Sequence, residues 1–342
     1  CSLQRRHQKL IEIAPAAFLG DEMRRGLHDA AHRIGAHVGY CGLGTVEFLV
    51  AADGSAAWFL EVNPRLQVEH TVTEEATGLD LIRLQLRLAV GGRLADEALP
   101  DPLAPRGMAL QMRINAETLQ ADGIASPARG RITLFDLPSG GGLRADAIGH
   151  AGYEVGLDYD ALLAKLVVHV PDADPSLLFR KAYQAACEAR IDGVATNLPV
   201  LRALLAHPEV RADRIDVGFV DRHAARLAGD AAHPALDFGA AAPAPQPSEA
   251  AGEAALPQAP TGAEAVPVPN DCRLVELLAA EGDRVAPGQT LAITEAMKME
   301  FAVTAPFGGV VASAPWSPGD ALAKGAPLLF LRPDGADLAV ET

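Results

Sequence analysis

The chain has 342 residues, of which 49% are hydrophobic, and its formal net charge at pH 7 is −15. This length is sufficient for two or three domains. The acidic excess argues against a nucleic-acid partner, because phosphate binding requires a basic surface. No apolar run approaches the roughly 18 residues that a membrane-spanning helix requires, so we expect no membrane span.

The cysteines are few and widely separated, and no two of them form a CxxC pair: Cys1, Cys41, Cys187 and Cys272. Their spacing argues against a zinc site or a disulfide framework and is typical of a reducing compartment. We therefore expect a cytoplasmic protein. The chain begins at a cysteine rather than at methionine and shows no signal peptide, so we interpret it as a fragment of a longer protein.

Strand and helix patterns alternate through residues 1–228, which favours an α+β domain. The stretch 42–63 predicts two strands joined by a turn at Asp53. The stretch 71–92 predicts a helix whose start Asp80 can cap. Further elements are predicted as strands at MALQMRIN and KLVVHV and as a helix at SLLFRKAYQAACEAR.

The composition changes sharply over residues 229–267, which are mostly Ala, Pro, Gly and Glu. No lysine or arginine occurs between Arg226 and Arg273. Such a segment cannot bury enough apolar surface to offset the entropy of ordering it. We therefore predict a disordered linker that lets the following domain swing.

Residues 268–333 contain an internal repeat, in which 281–294 matches 317–330. Four positions recur 37 residues later: Gly282, Asp283, Gly288 and Leu291 recur as Gly319, Asp320, Gly325 and Leu328. A repeat in so small a unit predicts two similar β halves that pack on each other. Lys298 falls in the connection between the halves, so we predict that it lies at a hairpin tip.

The stretch EAMKME, residues 295–300, resembles the attachment motif of biotin carboxyl carrier domains. In that family the central lysine carries biotin through an amide bond. Lipoyl carriers share the fold, but Met297 and Met299 favour biotin. The resemblance implies an all-β biotinyl domain of the barrel-sandwich hybrid type, with biotin attached to Lys298.

Residues 1–228 resemble the C-terminal part of biotin carboxylases, which are ATP-grasp ligases. The resemblance rests on six motifs in order: CSLQRRHQK, GTVEF, FLEVNPRLQVEHTVTE, RINAE, SPARGRI and YDALLAKL. It implies an ATP-grasp fold and the ATP- and bicarbonate-dependent carboxylation of biotin. The carboxyl group would then pass to an acyl-CoA or a similar acceptor on a transferase that is not recognisable here.

A cation site is predicted on the two strands of stretch 42–63. Glu61 and Asn63 are two residues apart on one strand and point to the same face. If the turn holds three residues, Glu47 lies opposite Glu61 on the other strand. Two carboxylates and an amide oxygen suit Mg²⁺ (or Mn²⁺), whereas the alternative is a structural strand pair. The resemblance also implies that Glu47, Glu61 and His7 contact ATP.

The resemblance further implies a bicarbonate site formed by Lys9, Arg65, Gln67, Val68 and Glu69. An arginine offers a two-pronged fork for a planar oxyanion. A glutamate can act as a general base. Arg65 and Glu69 are therefore candidate catalytic residues.

Arg113, in the motif RINAE, matches the arginine that faces the biotin ureido group in the family. It is the third candidate catalytic residue and the biotin-binding residue. The alternative is an ion pair between Arg113 and Glu117, four residues further on.

The family's glycine-rich phosphate loop is not recognisable, so we expect this chain alone not to turn over. Two other interpretations are a biotinylated carrier or scaffold without catalysis, and a lipoyl carrier. The implied partners are bicarbonate, a biotin protein ligase, a carboxyltransferase subunit or domain, and further copies of the chain. The sequence leaves the final acceptor open among acyl-CoA thioesters, pyruvate, urea and others.

Overall fold

The computed structural model describes residues 2–97, 99, 104–156, 159–229, 257–296 and 299–334. An α+β portion reaches Gly229 and is called the N-terminal part. An all-β portion begins at Glu264 and is called the C-terminal part. In the ranges described, no helix is both long and apolar enough to cross a membrane.

The N-terminal part combines short strands with α-helices. Its strands are β1 (Ser2–Arg5), β2 (Gln8–Ala14), β3 (Thr45–Val50), β4 (Ala57–Asn63), β5 (Met108–Asn115), β6 (Glu117–Leu119), β7 (Ala125–Pro127), β8 (Gly130–Arg131), β9 (Leu134–Asp136), β10 (Leu143–Ala147), β11 (Glu154–Val155), β12 (Leu162–Val170) and β13 (Arg190–Asp192). Its helices are α1 (Asp21–His37), α2 (His70–Thr77), α3 (Leu81–Ala89), α4 (Pro175–Glu188), α5 (Leu198–Ala206), α6 (Pro208–Arg211) and α7 (Phe219–Gly229).

An antiparallel sheet with the strand order β1-β2-β5-β12-β10 is the frame of the N-terminal part. Because successive strand residues point to opposite faces, the central strands serve two cores. Leu110 and Leu166 join the larger core with α4, α5 and α7. On the other face, Ala109 and Val167 pack against Val72 of α2. The sheet therefore fixes α2 and the residues that enter it.

The predicted strands at MALQMRIN and KLVVHV and the predicted helix at SLLFRKAYQAACEAR are confirmed as β5, β12 and α4. The helix predicted in stretch 71–92 is confirmed after Asp80, but the first part of the stretch belongs to the separate helix α2, which Gly78 ends in a left-handed conformation, with φ of 73°. A new helix, α3, then begins after Asp80. The side chain of Asp80 caps it by accepting from the Arg83 N–H at 2.8 Å, as predicted.

The β3–β4 hairpin and α1 have little apolar cover. Helix α1 buries none of its residues. Trp58, Phe59 and Leu60 of β4 are each more than half exposed. The geometry of this hairpin therefore depends on backbone pairing and on polar contacts rather than on a hydrophobic core among the described residues.

The C-terminal part is built from two four-stranded sheets, in the orders β14-β21-β19-β16 and β18-β17-β15-β20. Its strands are β14 (Glu264–Pro267), β15 (Cys272–Leu277), β16 (Arg284–Val285), β17 (Thr290–Ala296), β18 (Met299–Thr304), β19 (Gly309–Ser313), β20 (Ala321–Leu322) and β21 (Pro327–Pro333). Leu274, Leu291, Val311 and Leu328 belong to the one core that the sheets enclose.

The sequence repeat corresponds to two equivalent β halves, as predicted. In the first half, the Ala280 N–H donates to Asp283 Oδ2 at 2.8 Å. In the second half, the Ser317 N–H donates to Asp320 Oδ2 at 2.8 Å. The repeated Gly-Asp pairs therefore form the same turn twice.

The C-terminal part begins earlier than residue 268, where the sequence pattern placed its start. Strand β14 pairs with β21 inside the predicted linker 229–267. Val266 is only 3% exposed and fills the core, a role that its Ala- and Pro-rich neighbours concealed. Residues 230–256, where we predicted disorder, lie outside the described residues. The domain boundaries therefore stay predictions.

The equivalence of the halves can be tested at Gly288 and Gly325, whose φ angles are 78° and 81°. A Cβ at either position would meet no atom within 4 Å, so an alanine would introduce backbone strain alone. We expect each Gly→Ala substitution to lower the free energy of unfolding by about 1–2 kcal/mol. Asparagine should cost less, because it tolerates positive φ.

Denaturant unfolding followed by the fluorescence of Trp316, in a Trp58→Phe background, would measure both losses. Clearly unequal losses at the two glycines would contradict the equivalence of the halves.

Candidate active site

One cavity of about 310 Å³ lies between the β1–β2 turn, the β3–β4 hairpin, the entry to α2 and β5. It brings together every predicted site residue of the N-terminal part: His7, Lys9, Glu47, Glu61, Asn63, Arg65, Gln67, Val68, Glu69 and Arg113. The predicted attachment residue Lys298 lies outside the described residues. Strands β17 and β18 pair as far as Ala296 and Met299 on either side of it.

The β1–β2 turn presents His7 and Lys9 to the cavity. Arg5 pairs with Gln8, so the turn has two residues, Arg6 and His7. Their φ angles are 44° and 67°, as a tight turn of the primed type requires. His7 is exposed at the cavity mouth, and Lys9 follows it on β2.

A β-bulge sets Glu47 opposite Glu61. Phe48 pairs with Phe59, but the register then shifts, so that Glu47 pairs with Glu61 and not with Leu60. The predicted opposition of the two carboxylates is confirmed, although the expected three-residue turn is wrong. Because β3 ends at Val50 and β4 begins at Ala57, the loop is longer, and the bulge restores the opposition.

The two carboxylates converge on the amide of Asn63. Asn63 Nδ2 donates to Glu61 Oε1 at 2.7 Å and to Glu47 Oε1 at 3.2 Å. Rotation of this amide by half a turn would present its oxygen instead. The three residues then offer only hard oxygen atoms, which is the donor set that fits Mg²⁺. No cluster of three or more His, Cys, Asp or Glu suited to a metal occurs among the described residues.

Lys9 joins the predicted cation site to the predicted bicarbonate site. Its Nζ donates to Glu47 Oε1 at 2.9 Å and makes a short hydrogen bond to Glu69. Burial lowers the pKa of Lys9, but the two carboxylates outweigh burial and the net pKa is raised. Burial raises the pKa of Glu47, but hydrogen bonds from Lys9 and Gln67 outweigh it and the net pKa is lowered.

Arg113 is held by two acidic residues, neither of which is Glu117. Its Nε donates to Glu12 Oε1 at 2.7 Å, and its Nη2 donates to Glu69 Oε2 at 2.9 Å. Glu117 pairs instead with Arg5 at 3.1 Å. The pairing of Arg113 with Glu117 is therefore wrong, since residues four apart are neighbours on a helix but lie roughly 13 Å apart along an extended chain.

Gln67 carries a buried acceptor with no partner among the described residues, its Oε1 atom. Its Nε2 donates to Glu47 Oε1 at 3.1 Å. A buried acceptor left without a donor costs about 1–3 kcal/mol, which suggests a ligand that donates a hydrogen bond. Arg65 is exposed beside it and donates to the carbonyl of Leu66 at 3.3 Å.

Three positioning residues were missed by the sequence analysis. Glu12 is 3% exposed beneath Arg113. Asn197 Nδ2 donates to the backbone carbonyl of Arg113 at 3.0 Å. Lys165 Nζ donates to the carbonyl of Val68 at 3.2 Å. Glu12 and Lys165 each gave a local signal, because each is a charged residue inside an apolar strand.

Family models match the chain in three consecutive stretches. Residues 1–97 match the ATP-binding domain of the carbamoyl-phosphate synthase L chain. Residues 111–222 match the biotin carboxylase C-terminal domain. Residues 264–331 match the domain of biotin-requiring enzymes. Fold and cavity thus define the class of the protein, an ATP-grasp carboxylase part followed by a biotinyl domain.

Relatives specify the family. The chain is 36% identical to the biotin-dependent acyl-coenzyme A carboxylase alpha3 subunit of Mycobacterium leprae, covering 97% of this chain and 61% of the relative. A solved single-chain, multi-domain long-chain acyl-CoA carboxylase is 40% identical, with a TM-score of 0.65, covering 99% of this chain and 34% of that one. The chain carries domains of biotin-dependent carboxylases and is similar to them, and it spans less than two thirds of either protein.

A third match covers the N-terminal part only. It is the dimeric biotin carboxylase domain of the Hydrogenobacter thermophilus 2-oxoglutarate carboxylase, solved with MgADP and bicarbonate. The identity is 34% and the TM-score is 0.61, over 65% of this chain and 48% of that chain.

Because the pKa of Glu47 is lowered in the folded protein, we expect its contribution to the free energy of unfolding to depend on pH. Stabilisation by its carboxylate is fully present above the unfolded pKa of about 4.3 and is lost as the pH falls through the lower folded value. The free energies of unfolding of the wild type and Glu47→Gln should therefore differ by a constant amount from about pH 6 to 8, and this amount should shrink towards pH 3. Urea titrations across this range would measure it.

Lys9 does not interfere in that window, because its raised pKa affects stability only at alkaline pH. A difference between the two proteins that stayed constant down to pH 3 would show that the contacts of Glu47 do not depend on its charge.

Proposed function

We propose that this chain is the carboxylase-and-carrier portion of a biotin-dependent acyl-CoA carboxylase. It takes part in the ATP- and bicarbonate-dependent carboxylation of biotin carried on Lys298. The observation that supports this proposal is the convergence of ten predicted residues on one cavity. The portion described here is expected to need the rest of its protein for turnover.

Bicarbonate fits the polar groups around Gln67. The exposed guanidinium of Arg65 offers a two-pronged fork for the planar anion. Gln67 lies among these groups, and the Val68 N–H is a further donor to the anion. Glu69 lies beside them as the general base that takes the hydroxyl proton.

Phosphoryl transfer from ATP to bicarbonate requires charge neutralisation and alignment. Bound by Glu47, Glu61 and Asn63, Mg²⁺ would supply the charge that neutralises the transferred phosphoryl group. His7, which is exposed and lines the cavity, would contact the nucleotide. Lys9 holds Glu47 and Glu69 in one arrangement, so that the nucleotide side and the bicarbonate side stay in register.

Arg113 suits the ureido oxygen of biotin. Glu12 and Glu69 hold its guanidinium, which presents its other N–H groups without a loss of side-chain entropy on binding. The positive charge of Arg113 stabilises negative charge on the ureido oxygen when the neighbouring nitrogen loses its proton.

The relatives favour an acyl-CoA thioester as the final acceptor. Two matches that span nearly the whole chain are acyl-CoA carboxylases. The proposed partners are a carboxyltransferase, a biotin protein ligase and a second copy of the chain, the last because a similar carboxylase domain is a dimer. Free thiols at Cys41, Cys187 and Cys272 support a reducing, cytoplasmic setting.

The alternative of a scaffold without catalysis is disfavoured, because a degenerate site would not keep four acidic and three basic residues in one cavity. The alternative of a lipoyl carrier is disfavoured by Met297 and Met299 beside Lys298. Direct analysis of the attached group decides between the carriers.

We expect a single biotin adduct on the chain when it is made in cells with a biotin ligase, because EAMKME supplies the lysine. Intact mass would show one adduct, and Lys298→Arg would remove it. The conservative Lys324→Arg, in the same domain, should keep the adduct. An adduct that persists in Lys298→Arg, or one with the mass of lipoate, would refute the assignment.

In the full-length protein, Glu47→Gln and Glu61→Gln should each raise the Mg²⁺ concentration needed for half-maximal bicarbonate-dependent ATP cleavage. We expect at least about a tenfold increase, the size typical of weakening a metal site. Glu154→Gln is the matched control, because Glu154 is exposed and its Arg131 partner lies away from the cavity. An unchanged Mg²⁺ requirement in both variants would show that the pair is only structural.

A further inference from the structure

The two parts of the chain contact each other through a buried hydrogen bond. Ser126 of β7 lies in the N-terminal part, and Asn270 precedes β15 in the C-terminal part. The Ser126 hydroxyl donates to Asn270 Oδ1 at 2.9 Å. Each residue is only 7% exposed. The hydroxyl also accepts from Gln120 Nε2 at 3.1 Å, so the contact uses both of its hydrogen-bonding roles.

An ion pair lies beside this hydrogen bond. Arg129 Nη2 is 3.8 Å from Asp271 Oδ1. The same oxygen accepts from the backbone N–H of Lys324 at 2.7 Å, which fixes Asp271 on the C-terminal part. The Arg129 side chain is 41% exposed, so water and salt weaken this pair.

The contact is small and incompletely packed. A cavity of about 570 Å³ opens between the two parts, with Gln120, Arg129 and Asp192 on one side and Asp271 and Lys324 on the other. A permanent interface is close-packed and apolar at its centre. A polar contact beside such a cavity is suited instead to repeated formation and release.

On the C-terminal part the contact is near the β17–β18 hairpin, and on the N-terminal part it is near the strand that carries Arg113. On the C-terminal part, Asn270 stands three residues before Arg273, which pairs with Glu295 in the last part of β17. The contact is therefore at the end of the sheet where the β17–β18 hairpin turns. On the N-terminal part, β7 pairs with β6, which follows the strand of Arg113.

We propose that the corner formed by Asn270, Asp271 and Lys324 is a reversible docking surface, and that it binds the N-terminal part at Ser126 and Arg129. The docked state holds the hairpin end of the carrier beside β7, which pairs with the strand that follows that of Arg113. Its use in delivering biotin rests on the proposed function, whereas the contact itself does not. Swinging of the carrier then alternates with docking at this site.

The test is ¹⁵N relaxation of the whole chain in the Lys298→Arg background, which cannot carry biotin. We expect amides of the C-terminal part to share the rotational correlation time of the N-terminal part. Ser126→Arg places a long charged side chain in the buried contact and should shift the correlation time of the C-terminal part towards that of a free small domain. Ser139→Arg, at an exposed serine of the N-terminal part, is the matched control.

Charge reversal supplies a second measurement. Arg129→Asp should shorten the correlation time of the C-terminal part, and Arg129→Asp with Asp271→Arg should restore it in part. Independent tumbling in the starting protein, or equal behaviour of Ser126→Arg and Ser139→Arg, would overturn the docking surface. Neither result bears on biotinylation or on ATP cleavage, so failure of the docking proposal leaves the proposed function testable by its own experiments.

Discussion

The carboxylate of Glu69 binds both Lys9 and Arg113 and so connects the elements that form the candidate site. Lys9 reaches it from β2 and Arg113 reaches it from β5, while Glu69 itself immediately precedes α2. Strands β2 and β5 are neighbours in the sheet, and α2 packs on the face of that sheet. Glu69 therefore links three elements through two ion pairs, while Glu47 also holds Lys9 and Glu12 also holds Arg113. The order of the strands and the packing of α2 therefore together determine the geometry of the site.

Sequence patterns predicted which residues meet in one cavity better than they predicted the geometry by which these residues meet. The spacing of Glu61 and Asn63 correctly placed both on one face, because strand periodicity is a local property. The opposition of Glu47 and Glu61 was predicted from a short turn, but a bulge produces it. Bulges depend on how two hydrogen-bonded ladders close, which residue types on one strand do not determine.

Contacts between residues close together in the sequence could be predicted, whereas contacts between distant residues could not. The partners of Arg113 at Glu12 and Asn197 are 101 and 84 residues away, and no local pattern encodes such pairings. The two halves of the C-terminal part are local and repeated, so their equivalence could be predicted. Strand β14 was missed because its pairing with β21 spans the whole domain.

The charge balance of the cavity has a thermodynamic consequence. Its lining carries one more carboxylate than cations: Glu47, Glu61, Glu69 and Asp160 against Lys9, Arg65 and Arg113. An anion entering alone therefore meets a site with a net negative charge, whereas a divalent cation would reverse the sign. The proposed bicarbonate and Mg²⁺ would then bind with positive cooperativity, and linkage would require each to tighten the other by the same factor. An affinity for bicarbonate has meaning only at a stated concentration of free divalent cation.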